Sequence, residues 1–321
     1  MITLKRAGVT AALIAGLAVL PACGNNAKKA EREESDINIS VAAVQILSSD
    51  DFGGREAGTE YGRRAGDEII RLIGNFSEFE ADRQAFNFTV EREDEARNGT
   101  NIIVTIPGRK KDKAGTGPVL VATAHYDHLG TRGLDVYNGA DDNASGVGGL
   151  FKLMRSFKDT PPRHTVMLVW LDAEEYDLQG AQAFVRDYAP IAGRPLVNLN
   201  LDMIAQSQNG ELYMAGSYHT PSLKPLVQKA AKGSGVTVKF GNDRPQDGEN
   251  DWTNQSDHGV FHNAGVPFVY FGVEDHDHYH APTDEFDTLP IEFYRESLKV
   301  VVKTARALDA ALPKLARPVT P

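Results

Sequence analysis

A single cysteine, Cys23, stands in 321 residues. One thiol excludes an intramolecular disulfide and any cysteine-rich zinc site, so a metal in this chain must be held by histidines and carboxylates. Excess positive charge is missing too. Against 44 Asp and Glu there are 34 Lys and Arg, a formal charge of −10, which argues against nucleic acid as a partner and against attraction to an anionic membrane surface. Beyond the first two dozen residues no run approaches the roughly eighteen apolar residues of a spanning helix. There is no internal repeat and no low-complexity tract. What remains, 41% hydrophobic and 24% charged, is an ordinary globular composition on a chain long enough for one large domain.

The one apolar stretch lies at the start, where Lys5 and Arg6 precede the uncharged run Ala7–Ala22. It is short for a span and sharply ended, and a basic flank before an apolar segment reads as an export signal. Leu20-Pro21-Ala22-Cys23 resembles a bacterial lipoprotein lipobox, although Pro21 is an unusual residue there. The resemblance implies cleavage after residue 22 and lipid on Cys23. Losing Lys5 and Arg6 takes the charge to −12. Residues 23–36 are polar and charged without periodicity and read as a tether. The expected location is the bacterial cell envelope, lipid-anchored at the outer membrane and facing the periplasm, since Gly24 rather than an aspartate follows Cys23.

From residue 37 to 317 the pattern predicts one domain. Apolar residues at helical spacing mark Ile37–Leu47, Tyr61–Ile73, Ser145–Phe157, Gln179–Tyr188, Leu223–Lys232 and Ile291–Leu312. Ala85–Val90 and Asn101–Ile106 read as strands. Four further runs, Val119–Ala124, Thr165–Leu171, Leu196–Leu201 and Val266–Val273, are short, uncharged and rich in Val, Leu and Ile, as strands covered on both faces are. Strands alternating with helices predict an α/β fold, a three-layer α/β/α sandwich with a mixed, centrally parallel sheet.

In such a sheet ligands bind beyond the carboxyl ends of the strands. Each of the four apolar runs ends in acids or histidines: His125-Tyr-Asp127-His-Leu-Gly130, Asp172-Ala-Glu174-Glu175, Asp202, and Glu274 through His280 to Asp284. Singly, each of these reads as a turn or capping residue. Together they would repel one another unless cations lay between them, and His with Asp or Glu suits zinc or a similar divalent ion. A pair of metal ions also needs a bridging carboxylate. The Gly-rich turn Gly139-Ala-Asp141-Asp142-Asn143-Ala-Ser-Gly146 is a source for one.

These motifs, HYDHLG, GADDNASG, DAEE, NLDM and HYHAPTD, resemble in order and spacing those of the M28 family of zinc metallopeptidases. Gly54-Arg55-Glu-Ala-Gly-Thr59 is also similar to a stretch in these enzymes. The likeness spans roughly residues 40–310 and implies a zinc exopeptidase-like fold with two Zn2+ per chain: His125 and Asp202 on one ion, Glu175 and His280 on the other, Asp142 bridging. Asp141 is then a turn or supporting acid, and His276 and His278 are surface or rim residues. The resemblance further implies a metallo-aminopeptidase, in which a two-zinc-activated hydroxide hydrolyses the N-terminal peptide bond with Glu174 as general base and Asp127 in support. Asp257 and His258 are candidates for the substrate pocket, or equally for a helix cap. Two alternatives stay open, a single-zinc glutaminyl cyclase-like acyltransferase and a non-catalytic envelope binding protein. The expected partners are a peptide or protein N-terminus as substrate and a membrane through Cys23.

Overall fold

The computed structural model describes residues 34, 38–90, 96–110 and 115–319. The expected export signal, Cys23 and the expected tether, save Glu34, lie outside the described residues. Asp36–Pro321 forms one unit.

The strands are β1 (Ala81–Thr89), β2 (Ala96–Ile106), β3 (Val119–His125), the short pair β4 (Thr131–Arg132) and β5 (Asp135–Val136), β6 (Thr165–Leu171), β7 (Pro195–Leu201), β8 (Glu211–Ala215), β9 (Thr237–Phe240), β10 (Phe268–Gly272) and β11 (Arg317–Pro318). The helices are α1 (residues 38–47), α2 (Glu60–Phe76), α3 (Gly146–Asp159), α4 (Gln179–Asp187), α5 (Leu223–Ala231), α6 (His258–Asn263) and α7 (Ile291–Leu315). The main sheet runs β1-β2-β6-β3-β7-β10-β8-β9, with β11 added to β7. Its centre, β6-β3-β7-β10, is parallel, while β1, β2 and β8 each pair antiparallel to a neighbour. This is the mixed, centrally parallel sheet expected from the four apolar runs.

Two-residue periodicity makes the layers. Leu120, Ala122, Leu168 and Leu199 pack with Ile69 of α2, Leu150 of α3 and Leu298 of α7 on one face. Val119, Val121, Met167 and Val169 turn the other way, onto Phe184 of α4 and Phe261 of α6. Burial on both faces explains why these strands read as largely apolar runs, and the polar residues within them, Thr123, Asn198 and Asn200, are buried and bonded to one another. Among the described residues no helix is long and apolar enough to cross a membrane.

Candidate metal centre

The parallel strands all end on one edge, and the backbone turns sharply there. His125 closes β3, Asp202 is the first residue past β7, and Ala173 (φ 56°) and Met203 (φ 58°) take left-handed backbone beside Glu174 and Asp202. Gly139 (φ 54°) opens the turn that leads through Asp141 and Asp142 into α3. A Cβ at Gly139 would lie 2.0 Å from the Asp142 carbonyl oxygen and 2.5 Å from the His128 ring, so only glycine lets these two segments meet.

The expected ligands fall into two adjoining halves. In the first, His125 Nε2 lies 3.3 Å from Asp202 Oδ1, 3.4 Å from Asp142 Oδ1 and 3.9 Å from Glu174 Oε2. In the second, His280 Nε2 lies 3.2 Å from Asp142 Oδ2 and 3.6 Å from Glu175 Oε2. Asp142 thus turns one oxygen to each half. Atoms of His125, Glu174 and Asp202 come within 4.8 Å of one another, and so do atoms of His128, Asp142 and Glu175.

Hydrogen bonds hold these side chains from behind. The amides of Glu174 and Glu175 donate to Asp127 Oδ1 (3.1 Å) and Oδ2 (3.3 Å), so the aspartate grips the acidic turn. His125 Nδ1 donates to the Asp127 carbonyl at 3.2 Å, and the Asp127 carboxylate itself stands farther off, at 3.7 Å. Asp284 accepts from the amides of Asp141 and Asp142, each at 3.0 Å, clamping the Asp142 turn to the loop that carries His280. Asn143 Nδ2 donates to the Leu201 carbonyl, and Asp141 Oδ1 accepts from Ala205 N at 2.7 Å, which ties the same turn to the segment around Asp202.

The electrostatics call for cations. Burial and the neighbouring acids Glu175, Asp202 and Asp257 push the Glu174 carboxyl well above the ordinary range, and His125 opposes this only in part. Asp127 is also pushed well above it, by burial first, with Asp172 and Glu175 adding to the effect. Burial alone would lower the affinity of His125 for a proton, yet Glu174, Asp202 and Asp142 raise it well above the usual histidine value. Because Nδ1 faces a carbonyl, which only accepts, Nε2 is the atom left to face the carboxylates, and a positive charge belongs between them. A divalent ion meets that need better than one proton, and a cysteine-free set of imidazoles and carboxylates suits zinc. The residues present therefore fit the metal.

Two histidines depart from the sequence expectation. His128, to which the sequence reading gives no role, is brought in by the turn that follows His125, fully buried with Nδ1 donating to Glu175 Oε1 at 2.8 Å. Its Nε2 is buried without a partner. The ring atom that faces the acids is Nδ1, 3.8 Å from Asp142 Oδ2 and already engaged by Glu175, so His128 orients Glu175. His276, expected at the surface or rim, instead buries its side chain with Nε2 3.1 Å from Asp141 Oδ2; the loop after β10 folds inward at that residue. His278 is partly exposed and bonds Thr283. Of the pocket candidates, Asp257 is fully buried with neither carboxylate oxygen partnered, and burial raises its carboxyl to about 7. His258 is also buried, and its Nε2 donates to the Trp252 carbonyl at 2.7 Å.

Residues 101–305 match the model of peptidase family M28. Over 114 residues the chain is 36% identical to a vacuolar membrane protease of Pyrenophora tritici-repentis, a match covering 32% of this chain and 11% of that protein. The chain thus spans about a tenth of that relative's length. A zinc aminopeptidase from Bacillus subtilis superposes with a TM-score of 0.68 at 17% identity, covering 88% of this chain and 98% of that one. A glutaminyl cyclase of Bacteroides thetaiotaomicron bound to N-acetylhistamine gives 0.65, also at 17%, covering 84% and 97%. At that identity both are likenesses of fold.

Proposed function

The chain belongs to peptidase family M28, and from that premise we propose that it is a zinc-dependent aminopeptidase that removes residues from peptide N-termini. The observation that carries this reading is the Asp142 carboxylate between the two halves of the centre, Oδ1 toward His125 and Oδ2 toward His280, with Glu174 left beside it. In the proposal His125 and Asp202 would hold one zinc and Glu175 and His280 a second, with Asp142 available to both. Bound there, the ions would supply Lewis acidity and lower the pKa of water toward about 7.

The chain's own residues do the rest. Glu174 takes a proton from the attacking water and returns it to the departing amine, a task for which its raised proton affinity suits it. Asp127, by holding the amides of Glu174 and Glu175, keeps base and ligand in register. Asp257 is buried and unpartnered and near enough to Glu174 to raise its carboxyl, and we assign it to the substrate pocket. His258 is assigned to that pocket's wall.

One experiment separates the competing readings. The purified chain is loaded with zinc, its metal content counted, and the same sample given a peptide panel that includes N-terminal Gln. About two zinc ions per chain with release of free N-terminal residues is the expected result. One zinc with loss of ammonia from N-terminal Gln would establish the cyclase reading instead, and a zinc-loaded chain inert to the whole panel the non-catalytic one. We further propose that lipid on Cys23 anchors the enzyme to the bacterial outer membrane on its periplasmic side. Labelling with a radioactive fatty acid, abolished by Cys23→Ser, is the expected outcome.

A further inference from the structure

The segment Gly53-Gly54-Arg55 enters none of the chemistry above, yet it is threaded between the two ligand-bearing loops. All three residues are left-handed, with φ of 49°, 70° and 51°. That costs a glycine nothing, but it is an uncommon conformation for an arginine, and strain of this kind persists only where the surroundings impose it. The main chain here is in fact held on the side of the HYDHLG loop. Gly130 N donates to the Gly54 carbonyl at 3.0 Å, His128 N to the Arg55 carbonyl at 3.4 Å, and Thr131 Oγ1 to the Gly53 carbonyl at 3.3 Å. A Cβ on Gly54 would lie 2.3 Å from the Gly130 oxygen and 2.6 Å from that of Tyr137, so the brace fits without slack.

The Arg55 side chain then reaches inward with no exposed surface. Its hydrogen bonds go to main-chain carbonyls: Nε to Tyr126 (2.8 Å), Nη1 to Leu47 (2.8 Å) and to Asn138, Nη2 to Gly139 (2.9 Å). Tyr126 lies between His125 and Asp127. Asn138 and Gly139 open the turn that presents Asp142. One rigid guanidinium fork therefore spans the loop holding the first imidazole and the loop holding the shared carboxylate. Lysine, with a point charge, cannot make these divergent bonds at once.

We propose that Arg55 is the positioning residue of the metal centre: it fixes the separation of His125 and Asp142 and supplies a built-in positive charge behind the acids. It rests on the metal-binding reading above, not on the identity of the substrate. Burial lowers the guanidinium pKa to about 10, against the pull of Asp284, Asp142, Asp127 and Glu175, so the group remains charged at neutral pH. The four acids named there are the ones this charge faces.

The test measures zinc affinity, independent of turnover, by competition with a chromophoric chelator on the purified full chain and its Arg55→Lys and Arg55→Ala variants, alongside thermal melts with and without zinc. Both variants should bind zinc roughly 10–100-fold more weakly. The rise in melting temperature that zinc gives the wild type should shrink, and added guanidinium should restore affinity to Arg55→Ala but not to Arg55→Lys, whose side chain still fills the space. A purely structural arginine would lower both melts equally and leave the zinc increment intact, and that result overturns the proposal. So does wild-type affinity in Arg55→Lys, or failure of both variants to fold, which would make Arg55 a folding residue only. A wild-type chain that holds zinc yet cleaves no peptide would sink the proposed activity while leaving this test standing.

Discussion

Two groups of histidines in this molecule bind protons in opposite senses. At the strand ends, His125 and His280 lie among carboxylates, and although burial opposes it, those acids raise both above the ordinary histidine value. Behind β10, His258 and His262 lie among Phe268, Tyr270 and the His219 ring, whose centre is 4.4 Å from that of His262. There burial prevails: His258 is lowered to about 4, and His262 is lowered as well. The same side chain is a cation's host in one setting and a neutral packing element in the other. Histidine count alone therefore says nothing about metal; the acids within about 4 Å do.

The sharpest way to break this contrast is at Glu174, the acid without a ligand's role in the first group. Glu174→Gln should keep its zinc and lose turnover by about 10²–10⁴-fold. Retained activity would remove the base from the mechanism, and lost metal would make Glu174 a ligand. Next in size is a paired replacement. His280→Ala should weaken zinc binding at least tenfold in a chelator competition, while His258→Phe should leave it unchanged. A matching loss in both would erase the distinction between the groups.

A smaller effect concerns pH. A histidine whose folded pKa lies below its unfolded value stabilises the native state above pH ~6.5, and that stability is lost as pH falls toward ~4. For the fully buried His258 this amounts to at most about 3 kcal/mol. His258→Phe keeps the ring between Phe268 and Tyr270 and should flatten the acid limb of stability, measured by denaturant melts from pH 7 to 4. An unchanged slope would show that His258 does not carry it.

The sheet's centre was legible because β3, β6, β7 and β10 are buried on both sides and so are mostly apolar before their ends, with Thr123, Asn198 and Asn200 as buried exceptions. The strands β8 and β9 carried no such signal. They are short, and β9 alternates exposed with half-buried residues, so no apolar run announces them. That acids and histidines would gather at one edge could be read from those that close each strand and from the motif order. His128 could not, because its approach depends on a turn and on the missing Cβ of Gly139, neither visible as a pattern. Arg55 was visible only as part of a turn-rich motif; that a charged residue would be fully buried on carbonyls from three segments is a tertiary fact. His276 misled because a loop rich in acids reads as solvated until Asp141 is seen to draw it in.

The clamp made by Asp284 has a kinetic meaning. The loop bearing His280 is fastened to the Asp142 turn by the Asp284 carboxylate on two amides and by Ala140 N on the Asp284 carbonyl. That loop cannot swing away while those three bonds hold. Under the proposed assignment of a zinc to Glu175 and His280, release of that ion would require the same loop opening, so its residence time would follow how long the clamp stays shut.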